Sequence, residues 1–276
     1  MTVFSATDVR IPLAKRRVFV RVEGEVIRPG VYQMSANDTM QAMVDKAGGL
    51  TKDAYLFGAA FHREEVRKSQ EENLKNLIQR LESESASNLN QIAQSSGAAS
   101  DVAIVQARIQ MAQTLRKQSL ERLRTLKPMG RIALNLSPQV SNVVSQLPPI
   151  RVESGDRLLV PNRPDFVYVF GSVNTESALL HVAGKTVSDY LVQTGLASGA
   201  DRDNVILMRA DGSAMTNTSS WGNNVMRTVV MPGDSIILPE KLDRESGWSV
   251  FTRNAKDITQ ILYQFGLGVA AYRTLR

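Results

Sequence analysis

Few residues in this 276-residue chain have the types and spacing that chemistry needs. There are two histidines, His62 and His181, and no cysteine. No HExxH, GxSxG, Walker-type loop or dinucleotide fingerprint accompanies them, so metal-dependent hydrolysis, acyl transfer and nucleotide chemistry all lack their parts. Without cysteine, disulfides and thiolate metal sites are excluded and the redox compartment is not readable. Two Gly-Asp pairs, Gly155-Asp156 and Gly233-Asp234, would suit paired carboxylates doing acid–base work. Each opens an apolar strand, where an aspartate commonly bonds its own backbone, and the turn reading is preferred. His181, between Leu180 and Val182, reads as a strand residue. Trp221, in TSSWGNN, could stack on a sugar, but a single aromatic in a polar loop favours a structural role. Arg10, Lys15, Arg16, Arg17 and Arg21 gather near the start, where phosphate contact and a solvated strand edge are both open; a net charge of +6 is mild support for nucleic acid. No catalytic, cofactor-binding or metal-binding residue is expected.

The elements that carry these residues occur twice. VFVRVEGEVIRPGVYQMSANDTMQAMVDKAGGL at 18–50 is echoed by FVYVFGSVNTESALLHVAGKTVSDYLVQTGL at 166–196, with Gly24 and Gly171, and Thr39 and Thr186, 147 residues apart. GDRLLVP at 155–161 and GDSIILP at 233–239 close the two copies. VFVRVEG and FVYVFG alternate as strands do, each meeting a glycine where a bulge or tight turn falls. Pro29 and Gly30 make a corner before a second strand. Thr39 and Thr186 precede helical patterns over Met40 to Lys46 and Val187 to Thr194, in which Ala42, Met43, Val187, Tyr190 and Leu191 can face a sheet. Gly49 and Gly195 end them. Each copy is therefore expected to be a small α+β unit, with Gly24, Gly30, Gly49, Gly155, Asp156, Gly171, Gly195, Gly233 and Asp234 at its turns.

The first copy is longer. Gly49 to Gly155 spans 106 residues where Gly195 to Gly233 spans 38. Between Arg63 and Lys127 the composition is Glu, Gln, Lys, Arg, Leu, Ala and Ser, with no proline until Pro128. Leu74, Leu77, Leu81, Leu89 and Ile92 make one apolar seam, and Val102, Val105, Ile109, Ala112, Leu123 and Leu126 a second. Gly97 can reverse the chain and Ser100 can cap the return arm, which predicts an antiparallel helical hairpin with arms about 40 Å long. The seams bury against each other, or the hairpin reaches a partner; the second copy closes without it, so the modules are expected to fold in its absence.

From Ile258 to Leu275 the chain has no acid and one base, Arg273. Ile258, Leu262, Phe265, Val269 and Tyr272 share one helical face, while Gln260, Gln264 and Ala271 lie on the other. Eighteen residues span about 27 Å, close to a hydrocarbon core. A ring of such helices could turn the first face to lipid and the second to a water-filled lumen; the alternative is an amphipathic helix packed on a soluble domain or lying at an interface. Trp248 and Phe251 suit interfacial anchoring. MTVFSATDVRIP lacks the order of a signal peptide, so the chain is expected to be cytosolic or, preferably, a piece of a longer protein.

Gly24 with RPG, the helix ending in GGL, and the second copy's NRPDFVYVFGSV, TGL and PGDSIILP resemble the SLBB (soluble ligand-binding β-grasp) modules of bacterial outer-membrane polysaccharide export proteins. The terminal segment from ESGWSV onward is similar to the C-terminal helix of those exporters, and the helical insertion to that of their KpsD-like branch. The resemblance implies an α+β chain with two tandem SLBB modules, at 1–62 with 128–164 and at 165–242, the first interrupted by a hairpin at 63–127, and a C-terminal amphipathic helix at 243–276. It further implies a non-enzymatic part of capsular or exopolysaccharide export without cofactors. Its expected place is the periplasm and outer membrane, as a homo-oligomeric ring that passes polysaccharide and meets an inner-membrane polysaccharide co-polymerase or ABC-transporter complex through the hairpin, with no nucleic acid. Modules of this kind also serve as soluble ligand binders, so a ligand- or nucleic-acid-binding β-grasp protein is the alternative.

Overall fold

The computed structural model describes residues 16–95, most positions from 106 to 138, 143–217 and 224–241, without the side chains of 84–95. The alternating residues of the first copy form β1 (Arg17–Gly24), which turns at Pro29 into antiparallel β2 (Gly30–Ser35). Then come α1 (Met40–Lys46), β3 (Ala60–His62), α2 (Glu64–Ser95), β4 (Arg131–Ile132) and β5 (Arg157–Val160). The second copy runs β6 (Phe166–Gly171), β7 (Ser177–Leu180), α3 (Val187–Thr194), β8 (Ile206–Met208), β9 (Ala214–Thr216) and β10 (Ser235–Leu238). Two five-stranded sheets result, ordered β2-β1-β5-β3-β4 and β7-β6-β10-β8-β9. The same order twice is what the duplicated sequence requires.

In each copy the closing strand lies parallel to the opening one, Arg21 opposite Arg157 and Tyr168 opposite Ser235. The opening strands end alike. Gly24 and Gly171 take φ 82° and 99°, and the next residue donates its N–H to Val160 or Leu238 at 2.7 Å. A Cβ on Gly24 would lie 2.0 Å from the Val160 carbonyl oxygen, so only glycine permits this approach.

The helices start on threonine. Thr39 Oγ1 accepts the Ala42 N–H at 3.4 Å, and Thr186 forms a reciprocal capping box with Asp189. α1 buries Met40, Met43 and Val44; Ala42, expected to face the sheet, stays half-buried because the inward stripe runs one position later. α3 buries Val187, Tyr190 and Leu191 against Val167, Val169, Leu207, Ile236 and Leu238.

The chain divides into two compact units, one made of the chain up to Glu64 with Leu136–Arg163, the other of Glu65–Asn135 with the chain from Pro164. In the second unit Leu74, Leu77 and Leu81 of α2 share a buried cluster with Leu123, Leu126, Ile206, Met208 and Ile237. Arg124 pairs with Glu82 at 2.6 Å beside them. Described residues between 106 and 125 are helical, while Gly97, Ser100, Val102, Val105, Ile109 and Ala112 lie outside the described residues. The second sheet thus has α3 on one face and the base of α2 on the other. Accordingly β10 is buried at every position, while β5 alternates.

This packing changes the expected consequence of removing the insert. Replacing 64–126 with a short Gly-Ser linker strips the cover from Ile206, Met208 and Ile237, so amides of β8 and β10 should exchange faster in hydrogen exchange while β1 and β5 stay protected. Leu77→Ala alone should cost about 2–4 kcal/mol of second-unit stability, read from denaturant unfolding.

Candidate functional site

Each closing strand is entered through the Gly-Asp turn. Asp156 and Asp234 are 1% and 0% exposed, and each accepts a backbone N–H three residues back, from Glu153 at 2.7 Å and Met231 at 2.8 Å. That is a local turn bond of the kind the Gly-Asp spacing suggests. Each carboxylate also meets an arginine from distant sequence. Arg63 Nε and Nη2 donate to the two oxygens of Asp156 at 3.0 and 2.8 Å, Nη2 also reaches the Arg151 carbonyl, and Nη1 pairs with Glu153 at 2.7 Å. In the second copy Arg209 Nε lies 3.4 Å from Asp234 Oδ2, Arg209 Nη1 donates to the Val229 carbonyl, and the Ala210 N–H donates to Asp234 Oδ1 at 2.9 Å. Arg63 and Arg209 each follow a short strand, in AFHR and ILMR. That repeated arginine is the signal by which sequence reasoning could have found them.

These carboxylates are structural, since each is enclosed and bonded on several sides. Burial pushes the Asp234 carboxyl up to about 7, against Arg209 and the N–H groups of Met231 and Ala210, which favour its ionised form.

The sheet face away from α1 differs between copies. On β1, Val18, Val20 and Val22 point inward, and Arg17, Phe19 and Arg21 outward. Arg157 stands beside Arg21 on β5, and both bond Glu23, Arg157 Nε at 2.8 Å and Arg21 Nη1 at 3.5 Å. The hydrogen bond from Arg157 leads in holding the Glu23 carboxyl below its ordinary range, with Arg21 adding to it. Phe19, Arg21, Glu23, Val31, Gly155 and Arg157 line an open groove of about 420 Å³. On β6 the corresponding positions carry Phe166, Tyr168 and Phe170, whose rings run in series with centroids 5.0 and 5.4 Å apart. Ser235 replaces Arg157. Phe170 sits opposite Ile237 in the sheet, on the side where the base of α2 packs.

Gly30 opens β2, and Gly49, Gly155, Gly195 and Gly233 take positive φ beside Gly24 and Gly171. His181 Nε2 lies 3.1 Å from the Val230 carbonyl oxygen, just past the end of β7. His62 ends β3. No group of three or more metal-ligating side chains occurs among the described residues. Trp221, Trp248 and Phe251 lie outside the described residues, as do both faces of the tail: Ile258, Leu262, Phe265, Val269 and Tyr272, and Gln260, Gln264 and Ala271. No described helix is long and apolar enough to cross a membrane.

Comparison with known proteins follows the same division. Residues 19–65 match the SLBB domain family, and 175–262 match the family described as capsule biosynthesis GfcC C-terminal. Two proteins of Escherichia coli, each described as polysialic acid transport protein KpsD, are 27% identical over 257 residues, which is 93% of this chain and 40% of theirs. The chain therefore spans about two-fifths of the length of these curated relatives.

Because the folded protein binds a proton at Asp234 more readily than the unfolded chain does, stability should fall as pH rises from about 4 to about 7. Asp234→Asn should flatten that slope in unfolding curves followed across this range. Arg63→Met leaves the Asp156 carboxylate buried without its guanidinium and should cost about 3–5 kcal/mol at neutral pH.

Proposed function

We propose that this chain, an SLBB-domain polysaccharide export protein, works without catalysing a reaction, as part of the machinery that carries capsular or extracellular polysaccharide out of a Gram-negative cell. The observation that carries this reading is the match to two transport proteins along 93% of the chain, with the SLBB match on the first copy and the capsule-biosynthesis match on the second. The paired Arg–Asp contacts support it from the structural side. They use two fully buried carboxylates to fix module geometry rather than to face a substrate.

The finer picture has the two modules as a repeated building unit of a homo-oligomeric ring in the periplasm. α2 and the helical return segment form an antiparallel hairpin that reaches an inner-membrane polysaccharide co-polymerase or ABC-transporter complex. Its base packs on the second sheet through Leu74, Leu77 and Leu81, which supports the reading of an arm held at one end. The C-terminal segment is a two-faced helix at the outer membrane, with Leu262 and Val269 toward lipid and Gln264 toward the lumen.

Deleting the gene should abolish surface polymer, and restoring it should return the polymer. In the restored strain, Leu262→Arg and Val269→Arg each place a charge in hydrocarbon at about 2–4 kcal/mol per subunit. Both variants should lose membrane association in flotation, while Gln264→Arg keeps it and alters polymer passage. Identical behaviour of the three variants would reject the two-faced helix, and unchanged surface polymer in the deletion strain would reject the export role.

A further inference from the structure

We infer that the outer face of the first sheet is a binding site for an acidic saccharide chain, with Arg17, Arg21 and Arg157 receiving its carboxylates and Phe19 stacking on the C–H face of a sugar ring. This rests on the export reading and deepens it, by naming the surface that touches the polymer and the chemistry of what it touches.

The charge on this face is unbalanced. Arg17, Arg21 and Arg157 share it with a single acid, Glu23, because Asp156 at the end of the groove is already held by Arg63. Arg17 has no acidic partner among the described residues. Arg21 and Arg157 are side by side across the parallel pair, about 4.8 Å apart in backbone, with planar forks suited to a carboxylate. Arg17 lies four residues back along the strand, about 13 Å away, further than one sugar ring reaches. A polymer satisfies both ends, whereas a single sugar does not.

The apolar component fits the same ligand. Phe19 and Val31 are 56% and 59% exposed and both line the groove. Phe19 lies between Arg17 and Arg21 on one face of β1. Alternating charge and apolar surface is what an acidic sugar presents, with carboxylates projecting from rings whose faces are C–H. The second copy shows that the module does not need these charges in order to fold. It has Tyr168, Phe170 and Ser235 where the first has Arg21, Glu23 and Arg157.

The test titrates the whole chain with fluorescently labelled oligosialic acid and oligogalacturonate, against a neutral dextran oligomer of matched length and polyglutamate. Both acidic saccharides should bind and dextran should not, with affinity falling as salt rises. Arg21→Gln and Arg157→Gln should each weaken saccharide binding by about fivefold, the loss of one charge-assisted contact. Glu23→Gln, which releases both guanidiniums, should strengthen it. Phe19→Ala should weaken the saccharides and leave polyglutamate unchanged. All four positions are at the surface, so thermal unfolding should remain near that of the parent chain.

Failure of both acidic saccharides to bind better than dextran overturns the inference, as does parent-like binding by the arginine variants. Equal loss of saccharide and polyglutamate in Phe19→Ala overturns it too, by reducing the face to a general polyanion surface. Surface polymer in the deletion strain separates this from the export reading. A chain that restores polymer but binds no acidic saccharide overturns only the groove, and a chain that binds but whose loss leaves polymer intact overturns only the export role.

Discussion

Each module depends on the parallel pairing of its first strand with its last. That pairing cannot be made locally, because a parallel pair needs a crossover through the rest of the module. In the second copy it joins Tyr168 to Ser235, and in the first it joins Arg21 to Arg157 across about twice the length of chain. Loop-closure entropy grows only with the logarithm of length, so the doubling costs about 0.6 kcal/mol. The insertion is therefore thermodynamically mild, provided the closing strand still arrives in register. The buried aspartate at its entrance sets that register. It bonds its own turn on one side and takes the arginine that follows β3 or β8 on the other, so a strand shifted by one residue would leave two charges buried without partners.

The two copies use one backbone for different surfaces. In the first, the face away from α1 carries arginines, a glutamate and an exposed phenylalanine. In the second, the same face carries the rings of Tyr168 and Phe170, and its Ile206, Met208 and Ile237 are a seat on which the leucines of α2 close. Burial on both faces explains the apolar runs ILM in β8 and IIL in β10, where a sheet with one wet face would alternate. The arm that interrupts the first copy in sequence thus contributes to the core of the second unit.

Much of this was legible in the sequence because it is local. The spans Met40 to Lys46 and Val187 to Thr194 follow from threonine caps, apolar spacing and terminal glycines, all within a few residues of each other. The strands around Gly24 and Gly171 follow from alternation and from duplication. What escaped is non-local. Asp156 and Asp234 looked like self-contained turns, because nothing near either one announces Arg63 or Arg209, which arrive from strands many residues away. The seam of Leu74, Leu77 and Leu81 looked sufficient to bury against its own return arm, since periodicity gives the width of an apolar stripe and says nothing of how many surfaces will share it. The difference between the copies' outer faces was visible as RVE against YVF, but its meaning depended on knowing that those residues are outward.

The point of insertion follows from the same constraint that opens the fold. In the second copy β8 passes to β9 through the short stretch Arg209–Ser213, and the arginine is its first residue. In the first copy the corresponding connection runs from β3 to β4 and contains the long arm, with Arg63 again first and α2 starting at the next residue. By Arg63 the third strand has already delivered its guanidinium to Asp156, so every contact that fixes the register of β5 on that side is complete before the extra chain begins. An insert placed two residues earlier would separate β3 from its arginine and weaken the parallel pair, whereas one placed after Arg63 inherits a clamped base. The same guanidinium that holds Asp156 also pairs with Glu153 and binds the Arg151 carbonyl, and so ties the start of α2 to the segment that feeds the closing strand. A long helix launched from such a residue starts from a fixed backbone position.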